Sequence, residues 1–216
     1  MSEQQMKIMA AQAALKHITS NMILGVGTGS TVNCFIDLLA TVKDHIKATV
    51  ASSQQTAKLL KARGFEVIDL NTIDELPLYV DGADSYNHIK QLVKGGGALT
   101  KEKILATVSE KFICIVDQTK PKMLDKVPMP IEVIPMARSY VAREIVKLGG
   151  QPSLRENFIT DNGNIILDVY NWEITQPIKL EMELNNIPGI VESGLFAVRN
   201  ADQIIIGHND FVEILD

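Results

Sequence analysis

The sequence predicts an α/β protein: a mostly parallel sheet covered by helices on both faces, followed by a second, smaller α+β domain. Three observations carry that expectation. From residue 1 to about residue 120, apolar residues at helical spacing alternate with short β-branched runs, the rhythm of parallel strands joined by crossover helices. After the proline-bearing stretch Pro121–Pro135 the order changes to strand, helix, strand, strand, helix, strand. The composition, 216 residues with 46% hydrophobic, 22% charged and 5% aromatic, supports a full core without disulfides or metals and argues against disorder or a coiled coil.

Met6, Met9, Ala10, Ala13 and Leu15 mark a first helix, and Met22–Val26 a first strand. Val32, Phe35, Ile36 and Leu39 repeat at helical spacing to about Asp44, and Ala48–Ala51 reads as the second strand. Ser52 and Gln55 have the spacing of a capping box, opening a helix that closes near Gly64. Phe65–Leu70 and Leu78–Asp81 are strand candidates, Lys101–Glu110 a helix and Phe112–Asp117 a buried strand. Further on, Ile131–Ile134 reads as a strand, and Ala137, Val141, Ile145 and Leu148 as a helix stopped by Gly149–Gly150. Asp161–Gly163 is turn chemistry between strands ending in Thr160 and Tyr170, Pro177–Asn186 is helical, and Val191–Phe196 is a strand. This second order is the split βαβ, or ferredoxin-like, pattern. Asp202–Ile206 and Phe211–Ile214 are strand material expected to rejoin the first sheet. The expected domains are therefore 1–126, rejoined by 202–216, and 127–201.

Charge narrows the function. Twenty-one Lys and Arg against 26 Asp and Glu give a net charge of −5, which repels a phosphate polymer but leaves room for a basic pocket around one phosphate. No nucleic-acid partner is expected. Cys34 and Cys114 sit in apolar runs without zinc or C-x-x-C spacing and read as reduced core residues. No stretch approaches the roughly 20 apolar residues of a membrane span, and the N-terminus has helical periodicity in place of a signal-peptide core, so no membrane partner and a cytoplasmic location are expected.

Three segments carry the chemistry. Gly25-Val26-Gly27-Thr28-Gly29-Ser30-Thr31 lies between a predicted strand and a predicted helix, where glycines admit a tight turn and free N–H groups with the helix dipole attract an anion. It is neither a Walker A loop, since no lysine precedes Ser30, nor G-x-G-x-x-G, since position 30 is serine. The second strand ends in Ala51-Ser52-Ser53, without the acidic residue that holds a nicotinamide-dinucleotide ribose. A small phosphate ester fits better, although a tight turn with a Ser or Thr cap explains the same residues. Asp81-Gly82-Ala83-Asp84 follows an apolar strand, placing two carboxylates where ligand crevices form; they suit proton exchange with sugar hydroxyls, and a metal reading lacks a third ligand at recognisable spacing. An Asp-Gly turn is the plainer alternative. Lys94-Gly95-Gly96-Gly97 leads to Glu102 in the first turn of a helix, where the dipole favours the ionised acid and burial opposes it, an arrangement suited to a carboxylate base, although taken alone an acid decorating a helix N-terminus is the plainer reading. Lys120, past the strand Phe112–Asp117, adds a cation at a carboxyl edge, where an ordinary surface lysine is the plainer reading.

Taken in order, GVGTGST, YVDGAD, VKGGGALTKEK, EKFICIVDQTK and EVIPMARS resemble the type A ribose-5-phosphate isomerase family over nearly the whole chain. The resemblance implies a Rossmann-like main domain that binds sugar phosphate and a ferredoxin-like smaller one. It implies interconversion of ribose 5-phosphate and ribulose 5-phosphate in the non-oxidative pentose phosphate pathway, without organic cofactor or metal, in a homodimer or larger homo-oligomer. By the same resemblance Glu102 is the proton-transferring base, and Asp81, Asp84 and Lys94 are active-site residues. Thr28, Gly29, Ser30 and Thr31 form the substrate-binding turn, Gly82, Ala83, Gly95, Gly96 and Gly97 the substrate loops, and Lys120 a substrate contact, with Lys7 a further candidate for the phosphate. The family pattern carries one residue more between the lysine and the glutamate than Lys94 to Glu102 provides. Two other functions fit parts of the pattern. A sugar-phosphate-binding regulatory module needs the turn but no base, and acyl or CoA transfer would use a glutamate nucleophile but needs a larger binding segment.

Overall fold

The computed structural model describes residues 2–96 and 99–216, so Gly97, expected in a substrate loop, lies outside the described residues. In chain order the elements begin with α1 (Glu3–Ala14), β1 (Met22–Val26), α2 (Ser30–Leu38), β2 (Ile46–Ala51), α3 (Gln54–Ala62) and β3 (Leu76–Asp81). Then come β4 (Ser85–Tyr86), β5 (Leu92–Val93), α4 (Thr100–Val108), β6 (Ser109–Asp117), β7 (Met129–Val133) and α5 (Arg138–Lys147). The chain closes with β8 (Gln151–Leu154), β9 (Ile165–Tyr170), α6 (Pro177–Asn185), β10 (Ile190–Ser193), β11 (Leu195–Phe196), β12 (Gln203–Gly207) and β13 (Val212–Leu215).

Among the described residues six strands form the larger sheet, in the order β13, β12, β6, β3, β1, β2. All its neighbouring pairs are parallel except β13 on β12. Buried on both faces, its strands read as continuous apolar runs: Leu24 and Val26, Leu78 and Val80, Ile113 and Ile115, and Ile205 pack with Val32, Phe35 and Ile36 of α2 in one cluster. A second, antiparallel sheet runs β10, β7, β9, β8, and its core joins Ile131, Val133, Leu167 and Val169 to Val141 and Ile145 of α5, Leu184 of α6 and Trp172. The β7-α5-β8-β9-α6-β10 order is the expected split βαβ pattern. A short third sheet runs β11, β5, β4.

The chain divides into two compact units, Met1–Ala83 with Ile104–Lys120 and Ala201–Asp216, and Asp84–Lys103 with Pro121–Asn200. Asp84–Lys103 groups with the second because β4 pairs with β5 and β5 with β11.

Several local expectations are corrected. Ser53, not Ser52, caps α3, its hydroxyl accepting from the Thr56 N–H, because Ser52 still belongs to the turn leaving β2 and donates its own N–H to the Val26 carbonyl. Phe65–Leu70 forms no strand and contributes a single bridge, Val67 to Thr49, before turning at Asp69. The strand expected to end at Thr160 ends at Leu154; Thr160 instead closes a turn with Asn164 and Gly163. Val191–Phe196 is divided at Gly194 between two sheets, since a Cβ there would press on the Pro130 ring and the Lys94 carbonyl. Cys34 and Cys114 are both buried, and burial pushes the Cys34 thiol up.

Candidate functional site

The expected site residues fall into two clusters, one within each unit. In the first unit β1, β2 and β3 lie side by side with Val26 opposite both Ala51 and Val80, so the segments leaving them emerge at one sheet edge. The chain leaving β1 turns through Gly27, whose N–H donates to the Val80 carbonyl at 2.9 Å, and Gly29, whose φ of 134° lies in the region that favours glycine, before α2 begins at Ser30. Thr31 is buried and Ser30 exposed in that first turn.

Asp81 ends β3 with its carboxylate fully buried and directed into this turn. Its Oδ1 accepts from the Thr28 N–H at 3.0 Å and the Gly82 N–H at 2.7 Å, and its Oδ2 accepts from the Tyr79 hydroxyl. A Cβ at Gly27 would overlap the same carboxylate. On the other side Thr28 Oγ1 meets Ser52 Oγ and Ser53 Oγ at 2.8 Å each and Thr56 Oγ1 at 3.0 Å, and Thr56 Oγ1 donates to the Gly27 carbonyl at 2.7 Å. The turn is thus held by a carboxylate below and by hydroxyls beside it, at the positive end of a helix dipole. Lys120 lies past the end of β6, its N–H on the Asp117 carbonyl at 3.2 Å. Lys7 is buried in α1 and pairs with Glu3.

In the second unit Asp84 and Lys94 flank the β4–β5 ribbon. The Asp84 N–H donates to the Val93 carbonyl at 2.9 Å, and Asp84 Oδ2 accepts from the Gly96 N–H at 3.2 Å. Lys94 donates its N–H to the Gly194 carbonyl at 2.9 Å, which fixes its backbone against the segment leaving β10. Its Nζ lies 3.7 Å from Glu102 Oε1, and both residues are 2% exposed. The shorter spacing from Lys94 to Glu102 therefore still allows the two to pair. Gly95, with φ of 113°, permits the bend after the lysine. A buried carboxylate facing a buried ammonium at a helix start can accept a proton and can stabilise a neighbouring negative oxygen.

Among these clusters the sequence reading omitted Thr56, Tyr79 and Arg155. Arg155 pairs with Asp168 through Nε at 2.8 Å and Nη2 at 2.5 Å, and its Nη1 donates to the Gly95 and Gly96 carbonyls at 3.3 and 3.1 Å. The rule that strand carboxyl ends line ligand crevices points to Ser52 and Ser53; no local signal marks Arg155, which is 60 residues from Gly95.

Residues 48–211 match the family model described as ribose 5-phosphate isomerase A (phosphoriboisomerase A). The chain is 58% identical over 204 residues to a ribose-5-phosphate isomerase A of Legionella pneumophila, covering 94% of each. The fold superposes on a ribose 5-phosphate isomerase A from Neisseria gonorrhoeae with a TM-score of 0.96, 41% identity, and 99% and 97% of the two chains covered. It superposes equally fully on a D-ribose-5-phosphate isomerase in complex with phospho-erythronic acid, with a TM-score of 0.94, 38% identity and 100% of each chain covered. With a match over most of its length and this identity to its relatives, the chain belongs to the ribose 5-phosphate isomerase A family.

Proposed function

We propose that, in interconverting D-ribose 5-phosphate and D-ribulose 5-phosphate, the chain uses Glu102 to carry a proton between C2 and C1 of the open-chain sugar. The observation that carries this assignment is the buried pair of Glu102 and Lys94 at the start of α4. Removing a weakly acidic proton beside a carbonyl needs a base at the carbon and positive charge at the oxygen that becomes negative. Glu102 takes the C2 proton, electrons move into the C1–C2 bond, and the carbonyl oxygen becomes the oxyanion of an enediolate. Lys94 stabilises that oxygen. Glu102 then returns the proton to C1 while a hydroxyl proton passes from the oxygen on C2 to the oxygen on C1, and the ketose results.

Thr28, Gly29, Ser30 and Thr31 bind the phosphate, with Lys120 adding charge, so a group remote from the reaction supplies positioning energy. Gly82, Ala83, Gly95 and Gly96 carry backbone close to the sugar. Asp84, which keeps carboxylate capacity beyond its bond to Gly96, opens the furanose ring, while Asp81 orients the phosphate turn through Thr28. Phospho-erythronic acid, bound by a structural relative, is a phosphorylated sugar acid whose carboxylate carries two oxygens on one carbon, a chemistry compatible with an enediolate mimic. The functional domains follow: a Rossmann-like part that binds the sugar phosphate and a ferredoxin-like part beside it in sequence. The same reading gives a cytoplasmic homodimer or larger homo-oligomer in the non-oxidative pentose phosphate pathway, needing neither metal nor organic cofactor.

Glu102→Gln keeps the shape of the side chain but cannot accept the proton. Its kcat should fall about 10²- to 10⁴-fold while KM stays close to wild type. Near-normal turnover in that variant would remove Glu102 as the base. Ketose formation in excess chelator tests the metal-free reaction.

A further inference from the structure

We infer that Glu132 and Glu181 are positioning residues which clamp the first turn of α4 and so aim the Glu102 carboxylate; the inference rests on the reading of Glu102 as the base. Each grips a residue within two positions of it. Thr100 Oγ1 donates to Glu132 Oε2. The other Glu132 oxygen accepts from Thr160 Oγ1 at 2.8 Å, Asn162 Nδ2 at 3.0 Å and Asn164 Nδ2 at 2.8 Å, so this carboxylate is locked to the turn preceding β9. Glu132 itself sits in the middle of the second sheet and is 1% exposed.

One residue past Glu102, Lys103 Nζ contacts Glu181 Oε1 at 2.5 Å, Glu192 Oε1 at 3.2 Å and the Leu195 carbonyl at 2.8 Å. It also lies 4.4 Å from the Phe196 ring centroid. Glu181, 2% exposed, uses its second oxygen to accept from the Ala197 and Val198 N–H groups at 2.7 Å each. The pair therefore ties α4 to α6 and to the end of β11. Lys94 reaches the same neighbourhood, with its N–H on the Gly194 carbonyl and its Nζ 5.7 Å from the Phe196 ring centroid.

Helical geometry explains why two grips are needed. At 3.6 residues per turn Thr100 and Lys103 lie about 60° apart around the axis, whereas Glu102 projects about 100° from Lys103 and about 160° from Thr100. One anchor leaves the helix free to roll about that point. Two anchors on one side, on separate elements, fix both roll and axial position, and with them the direction of Glu102. A buried ion pair adds little net stability compared with apolar packing, so the Lys103–Glu181 pair is better explained by the geometry it enforces.

The test is steady-state kinetics on ribose 5-phosphate with full-length variants, each checked by thermal melting. Thr100→Val removes the hydroxyl at constant shape. Lys103→Met combined with Glu181→Gln removes the ion pair while an amide oxygen still serves the Ala197 and Val198 N–H groups. Each arm should lower kcat about 10-fold, and both together about 100-fold, with KM within about twofold of wild type. Thr100→Ser and Lys103→Arg, which keep the donors, should restore kcat. In a Glu102→Gln background the clamp variants should cause no further loss, because they act through that carboxylate. Folded variants of either arm with wild-type kcat, a rise in KM at unchanged kcat, or an undiminished further loss in the Glu102→Gln background would each overturn the clamp. Normal turnover of Glu102→Gln alone would overturn the assignment of the base, whereas its collapse alongside fully active clamp variants would overturn the clamp and leave the base in place.

Discussion

Asp81 and Asp84 stand three residues apart in the sequence and meet different partners. Asp81 is fully buried and serves two backbone N–H groups and the Tyr79 hydroxyl, whereas Asp84 is half-buried with the Gly96 N–H on one oxygen. An asparagine at 81 keeps an oxygen for the Thr28 and Gly82 N–H groups but loses the charge and turns an NH2 toward the Tyr79 hydroxyl, which must rotate to accept, so Asp81→Asn should cost about 1–3 kcal/mol of stability and raise KM through the disturbed turn. Asp84→Asn should instead keep its melting temperature and lose kcat, because the amide cannot exchange protons with a ring hydroxyl. Melting curves and kinetics on the two variants check the division; equal effects on both quantities would refute it.

At the scale of elements, α1 shows how close packing depends on small residues. Its buried face is Met6, Lys7, Ala10, Ala11 and Ala14, and the alanines let its backbone settle on β12. Gly207 at the end of β12 completes the fit, since a Cβ there would strike the Met6 carbonyl, with the Met6 carbonyl carbon at 2.7 Å and the Ala10 nitrogen at 3.3 Å. Gly207→Ala should therefore destabilise the fold by about 1–3 kcal/mol, read as a melting temperature several degrees lower. The apolar runs of β1, β3 and β6 were legible in the sequence because strands buried on both faces need only be apolar, and helical spacing located α2, α5 and α6. Two-residue strands such as β4 and β5 have no period to detect. Phe65–Leu70 has strand chemistry, but the chain turns away after one bridge, an outcome decided by neighbours distant in sequence. Thr28, Asp81, Lys94 and Glu102 could be singled out as candidates because each falls in a short local pattern. Glu132, Glu181 and Arg155 were not, since the contact that joins each to the Gly95–Lys103 segment spans at least 32 positions.

Over the whole molecule the chain passes between the two units at 83/84, 103/104, 120/121 and 200/201, so no single cut separates them into contiguous pieces. Each unit also carries a group that makes its folding sensitive to acid. In the first, burial and the neighbouring Lys111 ammonium hold the His17 imidazole below its usual range. The unfolded chain then binds a proton that the folded chain resists, so stability falls as pH drops below 6.5. In the second, burial raises the Glu132 carboxyl, but the hydrogen bonds from Thr100, Asn164, Asn162 and Thr160 outweigh it and set the group below 4.5. Its contribution is present above 4.5 and is lost as pH falls through the lowered value. Melting temperature should thus decline gently as pH falls below 6.5 and again as it falls below 4.5, and His17→Gln should flatten only the first decline. An identical profile for wild type and His17→Gln would contradict this account.

The hydroxyl shell of Thr28, Ser52, Ser53 and Thr56 has a kinetic consequence. A hydroxyl changes partner by spinning about one C–O bond, a motion on the picosecond-to-nanosecond scale. The half-buried Thr28 hydroxyl can accordingly turn its proton toward an arriving anion while the buried hydroxyls of Ser52, Ser53 and Thr56 stay in place behind it, a switch that needs no movement of the loop backbone.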